Sequence, residues 1–346
     1  MLHVGMDLSR RRIDVCVLDE HGDLVEQAVA APDADGLRVL ADRYRGDDIR
    51  AVVESMTGAR FVHDTLEGYG WEVEMADAAR VKALAPLTAK TDRIDARVLA
   101  ELSYRDLIPA IWLPPPKIRG MRELGRFRLH LVKHRVGLKN RIHSTLITWG
   151  LSVPVSDLFG VAGRHHLEEL DLPDAWKTTT TATLEVIDHL TTQIAACETT
   201  LRQAALDHPD VELLQTAPGI GPILGYVIAT EIGDIERFAT PTKLVGYTGL
   251  CPRVMQSGNT DRRGPLTLHG PRWLRWAYIE AAVRASQHPT YQDRHQRTRR
   301  RLGPQRGPKV ARVDTARRLA TATWWMLTKH EPFAPASPPL STSGEY

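Results

Sequence analysis

Four carboxylates suggest what chemistry this chain of 346 residues could do. Asp7 ends the apolar run Leu2-His3-Val4-Gly5-Met6, and Glu54 ends Ala51-Val52-Val53. Asp92 and Asp95 lie three apart in Lys90-Thr91-Asp92-Arg93-Ile94-Asp95-Ala96-Arg97, which reads as the first turns of a helix. Acids at strand ends can converge with an i, i+3 pair on one helix face. Carboxylates gathered in one place repel each other unless cations sit between them, and hard oxygen ligands suit Mg²⁺ or Mn²⁺. Such ions can clamp the attacking and leaving oxygens of a phosphodiester. Taken singly, each acid is equally well a solvated strand end or a helix cap. The metal reading rests on their joint placement.

The elements that must position these acids are legible in the patterning. Residues 2–8, 13–18 and 24–30 read as strands, the second and third joined by the turn Glu20-His21-Gly22-Asp23, which makes an antiparallel meander. Helices are expected over 33–44 and 58–69, strands over 50–54 and 71–76, and a helix over 91–104. The order β-β-β-α-β-α-β-α resembles that of the ribonuclease H-like fold. There the first strand, the fourth strand and a late helix supply the acids, the places held here by Asp7, Glu54 and Asp92/Asp95.

Charge is distributed in blocks. Residues 1–110 carry a net −7, 111–150 a net +8, 151–240 a net −10 and 241–346 a net +12. Alternating blocks of this size point to a polyanion, and hence a nucleic acid, as partner. No apolar run approaches the ~20 residues of a membrane span. Cys16, Cys197 and Cys251 form no CxxC pair, which argues against a zinc ribbon or disulfide framework and fits a reducing cytoplasm.

Pro109 and Pro114-Pro115-Pro116 close the first domain, expected over 1–112. A long basic helix over 117–149 carries nine basic residues and one acid. Among them Arg126, Lys133, Arg135, Lys139 and Arg141 are candidate phosphate contacts. Ile187, Leu190, Ile194, Cys197, Leu201 and Ala204 step by three and four, as a heptad seam or the buried face of an ordinary core helix does. A middle region over 113–211 is therefore read as basic helix plus a coiled-coil or dimerisation arm. Residues 212–330 read as a mostly helical domain, opening with Pro218-Gly219-Ile220-Gly221-Pro222. Gly219 and Gly221 there are either phosphate-approaching positions or a plain interhelical turn. From 331 to 346, Pro, Ser and Ala dominate and a disordered tail is expected.

A second constellation lies in the last domain. Ser257-Gly258 follows Gly246-Tyr247-Thr248-Gly249-Leu250-Cys251-Pro252, and Arg262, Arg263, Arg272 and Arg275 follow it. Ser257 reads either as a surface serine in a flexible nucleic-acid-contacting loop or as a nucleophile toward phosphorus, with the arginines offsetting transition-state charge. Arg299, Arg300 and Arg301 add a further basic run, and Trp273, Trp276, Trp324 and Trp325 are either core residues or stacking platforms for bases.

Together these motifs resemble the DEDD transposases of the bacterial "IS one-ten" insertion-sequence family. Gly-Met-Asp7-Leu-Ser, Val-Val-Glu54-Ser and Lys-Thr-Asp92-Arg-Ile-Asp95-Ala match the N-terminal signature. Pro-Gly-Ile-Gly-Pro, Gly-Tyr-Thr-Gly-Leu-Cys-Pro, Ser-Gly and His269-Gly-Pro-Arg-Trp-Leu-Arg match the C-terminal one, over residues 1 to about 330 in all. The resemblance implies a RuvC-like, ribonuclease H-like α/β domain binding Mg²⁺ (or Mn²⁺) through Asp7, Glu54, Asp92 and Asp95. It further implies a helical coiled-coil middle and a mostly α transposase domain with Ser257 as strand-cleaving nucleophile. It implies donor and target DNA, a bridge RNA as guide, a homodimer assembling to a tetramer with sites shared between protomers, and a bacterial cytoplasmic, nucleoid-associated location. The chain departs from the family pattern at Thr267-Leu268-His269-Gly270, where a serine often stands, which leaves Ser257 the better candidate and Thr267 a possible phosphate contact.

Three other functions compete. A RuvC-like nuclease or Holliday-junction resolvase needs the acids and water only. An actin-like sugar kinase or ATPase would use Gly5-Met6-Asp7-Leu8-Ser9 as a phosphate loop, but no second three-stranded meander follows residue 150. An RNA-binding structural protein would need none of the four acids.

Overall fold

A computed structural model describes residues 1–84, 91–257 and 260–335, together with the backbone but not the side chains of 257 and 260–263. The chain forms two compact units, Met1–Pro114 and Pro115–Tyr346. The helical middle expected as a separate region over 113–211 is thus packed into the second unit.

The first unit is a five-stranded mixed sheet with helices on both faces. β1 (Leu2–Leu8), β2 (Ile13–Leu18) and β3 (Leu24–Ala30) form the meander. After α1 (Ala34–Arg43), β4 (Ile49–Glu54) lies parallel to β1, and after α2 (Ala59–Gly68), β5 (Glu72–Ala76) lies parallel to β4. The order across the sheet is β3-β2-β1-β4-β5. A short α3 (Ala78–Leu84), not expected from the pattern, precedes α4 (Asp92–Tyr104). Asp33 caps α1 by accepting from the Gly36 N–H at 2.8 Å, and Thr91 caps α4 at Ile94.

Strand parity sorts the side chains between the two faces. Val4, Met6 and Leu8 of β1, Val15 and Val17 of β2 and Ala51 and Val53 of β4 pack with the buried residues of α1 and α2. The alternate positions meet α4: Cys16 and Leu18 lie with Ala96 and Ala100, and Val52 lies with Leu99. Gly5 belongs to this second face. A Cβ placed on it would stand 2.0 Å from the Ala96 carbonyl oxygen and 2.3 Å from the Ala100 nitrogen, so only glycine lets α4 lie on β1. The far end of α4 is pinned by a hydrogen bond of 2.9 Å between His3 Nδ1 and Ser103 Oγ.

The second unit is mostly helical. It comprises α5 (Pro116–Thr148), α6 (Val161–Glu169), α7 (Asp174–Leu206), α8 (Pro209–Gln215), α9 (Pro222–Ile232) and α10 (Pro241–Tyr247). A hairpin of β6 (Pro252–Ser257) and β7 (Thr260–Leu266) follows, then α11 (Arg272–Ala285) and α12 (Pro289–Lys329). α12 is broken at Gly303, which has φ 73°, and its two arms fold back on each other. Arg294 therefore meets Asp314, and His295 meets Thr315, twenty residues on. The apolar seam of α7 is buried inside the chain: Ile187 packs with Ile142 and Leu146 of α5, and Cys197 and Leu201 enter the main core with α9. The seam is thus a core face of the second unit. The tail expected to be disordered begins ordered, because Phe333 contacts His288 and Tyr291 and its N–H donates to Thr216 Oγ1 at 2.9 Å. Residues 336–346 lie outside the described residues. Among those described, no helix is long and apolar enough to cross a membrane.

Gly5 and Gly120 make a contrast that a denaturation experiment can read. Gly5→Ala forces the sheet and α4 apart and is expected to cost on the order of 3 kcal/mol. Gly120 lies in a helix with open space around it, so Gly120→Ala is expected to add about 0.5–1 kcal/mol. Urea titrations of the two variants against the parent check both signs.

Candidate functional site

Three neighbouring strands bring an acid to the same end of the same face. Asp7 lies two residues beyond Gly5 on β1. Glu54 lies two beyond Val52 on β4, and the parallel register ends at Met6 opposite Val53, one residue before both acids. Asp14 of β2 stands directly opposite Asp7 in the antiparallel pair, two residues before Cys16. The first turn of α4 carries Asp92 and Asp95 in line with its buried stripe of Ala96, Leu99 and Ala100.

The electrostatics register this gathering. The Asp7 carboxyl is pushed up to about 6, first by burial and then by the negative charges of Asp95, Asp92, Glu54 and Asp14. The other three acids singled out in the sequence therefore all act on Asp7. Asp14 is an additional member that the strand reading overlooked. It is 2 % exposed, and Oδ2 lies 2.8 Å from Arg12 Nε without hydrogen-bond alignment. The signal for it was parity: a buried acid in a strand otherwise apolar on both faces, facing Asp7 across a tight turn.

The donors are the hard carboxylate oxygens that a divalent cation takes, and their mutual repulsion is what such a cation relieves. As the side chains stand, however, no group of three or more His, Cys, Asp or Glu among the described residues is drawn together tightly enough to hold a metal ion. Arg12 spans the cluster, donating from Nη2 to Asp92 Oδ2 at 3.0 Å while its Nε faces Asp14. The guanidinium supplies positive charge there.

The serine motif lies in a different setting from the flexible loop expected. Ser257 is the last residue of β6 and pairs with Thr260, so its backbone belongs to the hairpin. Gly258 and Asn259, and the side chains of Ser257, Arg262 and Arg263, lie outside the described residues. The flanking glycines tie the root of the hairpin. A Cβ on Gly249 (φ 70°) would meet the His269 carbonyl oxygen at 2.2 Å, and one on Gly270 (φ 84°) would meet the Tyr247 carbonyl oxygen at 1.9 Å. The Thr267 N–H donates to the Cys251 carbonyl at 2.8 Å, closing the same root.

Several expected nucleic-acid contacts are committed elsewhere. Arg126 makes a two-pronged pair with Glu231, at 2.7 and 2.9 Å, and Glu231 is 1 % exposed. Beside it, Arg122 donates to the carbonyls of Thr230 and Glu231, both at 2.7 Å, satisfying the last turn of α9. Arg275 Nη1 reaches the Thr248 and Leu268 carbonyls at 3.3 Å each, bracing the hairpin root. Arg135 donates to Thr191 Oγ1 at 3.3 Å, and Lys139 sits 4.4 Å from the Phe159 ring centre. Gly219 (φ 82°) is needed for packing, since a Cβ would stand 2.3 Å from the Ala281 carbonyl oxygen, whereas Gly221 opens α9 with free space around it. Lys133, Arg141, Arg272, Arg299, Arg300 and Arg301 remain exposed. The last three lie on the arm leading to the Gly303 turn, and no acid occurs between Asp293 and Asp314.

Residues 211–297 match the family described as "Transposase IS116/IS110/IS902 family", and residues 4–149 match its DEDD transposase domain. The chain belongs to this family of insertion-sequence transposases. It is 26% identical to the transposase for insertion sequence element IS1328 of Yersinia enterocolitica, over 84% of this chain and 85% of that protein. It is 25% identical to the transposase for insertion sequence element IS1111A of Coxiella burnetii, over 95% and 90%. It is also 23% identical to the pilin gene-inverting protein of Moraxella lacunata, over 96% and 97%. Membership makes it an enzyme that transposes DNA, and the DEDD domain implies a divalent metal ion.

Because the folded chain holds the Asp7 proton up to about 6, against the ordinary 3.8, ionising Asp7 lowers stability as pH rises through that window. In metal-free protein under chelator, Asp7→Asn is expected to raise the melting temperature by roughly 3 °C at pH 7, with the gain vanishing toward pH 4. Arg126→Ala leaves Glu231 short of a partner and is expected to cost on the order of 3 kcal/mol, whereas Lys133→Ala leaves the denaturation midpoint in place.

Proposed function

We propose that this transposase cuts and rejoins DNA strands through a phosphoserine link on Ser257, assisted by a Mg²⁺ (or Mn²⁺) site on Asp7, Glu54, Asp92 and Asp95 and guided by a bridge RNA. The observation that carries the metal half is that Asp7 is lifted to about 6, first by burial and then by the negative charges of Asp95, Asp92, Glu54 and Asp14 around it. The strand and helix order, with acids at the ends of the first and fourth strands and on a late helix, supports a ribonuclease H-like reading of the first unit.

A divalent cation on these carboxylates supplies a Lewis acid at the scissile phosphate. The protein's own residues do the rest. The carboxylates orient through the sheet and α4, which hold them before substrate arrives. Ser257 Oγ bonds to phosphorus as the P–O3′ bond breaks, and the serine proton ends on the released 3′-hydroxyl. A 3′-hydroxyl from the exchanged strand then reverses the step on the phosphoserine, so rejoining needs no nucleotide cofactor. One relative is named for inverting a gene, and inversion demands that cut strands be rejoined, which a water-using nuclease does not do. The family resemblance has acids and serine meeting from different protomers of a tetramer.

Exposed Lys133 and Arg141 on α5 and the basic tip of α12 are the surfaces offered to phosphates, so binding weakens steeply with salt. Ser257→Ala is the deciding variant. It is expected to abolish the covalent protein–DNA adduct seen on denaturing gels while RNA still co-purifies. Cleavage at the parent rate would instead assign the reaction to water and the acids alone. Sequencing of the co-purified RNA should return one discrete species encoded beside the gene; random fragments count against guidance.

A further inference from the structure

α10 and the lower halves of the two α12 arms enclose a cavity of about 910 Å³, at the large end of small-molecule sites. Its wall is cationic. Arg294, Arg317, Arg318 and Lys329 line it against Asp314 and Glu331. Asp314 is shared, lying 2.6 Å from Arg294 Nε and 3.6 Å from Arg318 Nε, so it neutralises at most one of them. Arg317 Nε is buried with no hydrogen-bond partner. That nitrogen is closed off from the open cavity, so an anion entering it would meet the cation excess of Arg294, Arg317, Arg318 and Lys329 instead.

The cavity also holds an aromatic platform. Trp324 serves the core, with its indole N–H donating to the Phe238 carbonyl at 2.8 Å. Its neighbour Trp325 is 47 % exposed and lines the cavity, with Lys329 Nζ 5.1 Å from the ring centre. An exposed indole and an excess of cations in one cavity match the two halves of a nucleotide, a flat base and a phosphate. A base inside a duplex cannot reach such a pocket, so the occupant is unpaired.

We propose that this cavity receives one nucleotide of a single strand, its base against Trp325 and its phosphate among Arg294, Arg317 and Arg318. This rests on the nucleic-acid reading above and gives that reading a place. Cys251, which lines the cavity, immediately precedes β6. Ser257 closes that six-residue strand, roughly 20 Å away at ~3.3 Å per residue. That distance corresponds to a few nucleotides, so a strand anchored here runs within reach of the hairpin tip.

The test uses the full chain and fluorescence anisotropy with three probes: oligothymidylate and oligouridylate of about ten nucleotides, and a duplex. Trp325→Ala and Arg317→Ala are each expected to weaken single-strand binding about tenfold, equivalent to 1.4 kcal/mol, while duplex binding stays within about twofold. Trp325→Phe, which keeps a stacking ring, recovers most of the loss and separates stacking from damage to the fold. The oligomer showing the larger loss identifies the strand as DNA or RNA. Parent-like affinity of Trp325→Ala and Arg317→Ala for both oligomers overturns the proposal, and so does an equal loss on the duplex. If the parent binds none of the three probes, the nucleic-acid reading itself fails, and Ser257→Ala reports on that independently.

Discussion

The contact between Gly5 and α4 is the constraint on which the N-terminal unit depends. At this point a helix lies so close to a strand that a single methyl group would overlap the Ala96 carbonyl. The approach sets the distance between the sheet and the helix that carries Asp92 and Asp95, and Asp7 follows Gly5 by one pleat on the same face. A residue with no side chain thereby determines how tightly the carboxylates can gather. Small residues on the helix side, Ala96 and Ala100, complete the arrangement. The opposite face of β1 is ordinary hydrophobic core, so the strand packs two unlike layers at once.

Close gathering of acids has an electrostatic consequence that the structure handles locally. Burial and then the charges of its neighbours push the Asp7 carboxyl up to about 6, and Arg12, on the turn between β1 and β2, lends its guanidinium to Asp14 and Asp92. The second unit treats charge differently. The one deeply buried acid among its described residues, Glu231, is met by Arg126 and Arg122 from α5, and these arginines join the long basic helix to the core. A helix that looks like a single phosphate-binding surface is therefore two things along its length. Its first half is a structural brace, and exposed lysine and arginine appear beyond it.

The C-terminal motifs show the same division between architecture and chemistry. Gly-Tyr-Thr-Gly and His-Gly are close backbone crossings at the root of the β6–β7 hairpin, and Arg275 braces them through carbonyl oxygens. A hairpin with its root tied in this way presents its tip, which carries Ser257, on a defined strand end. Trp324 and Trp325, adjacent in the chain, part company because one indole points into the core and the next does not.

Local patterning was enough to place the meander, the two further strands and helices α1, α2 and α4 of the N-terminal unit. Alternation, turn residues and caps act over a few residues and leave their mark in order along the chain. Family motifs extended that reading to the serine. The rest depended on which elements meet. Asp14 joins the cluster only because β2 pairs with β1 in one register. Arg126 and Arg275 are withdrawn from the surface by partners 105 and 27 residues away. The α7 seam is covered from within the chain, and the cavity at the base of α12 exists only because Gly303 folds one arm onto the other. Composition and periodicity report what a residue prefers, whereas burial and pairing are properties of contacts between distant segments, and those are settled when the chain packs.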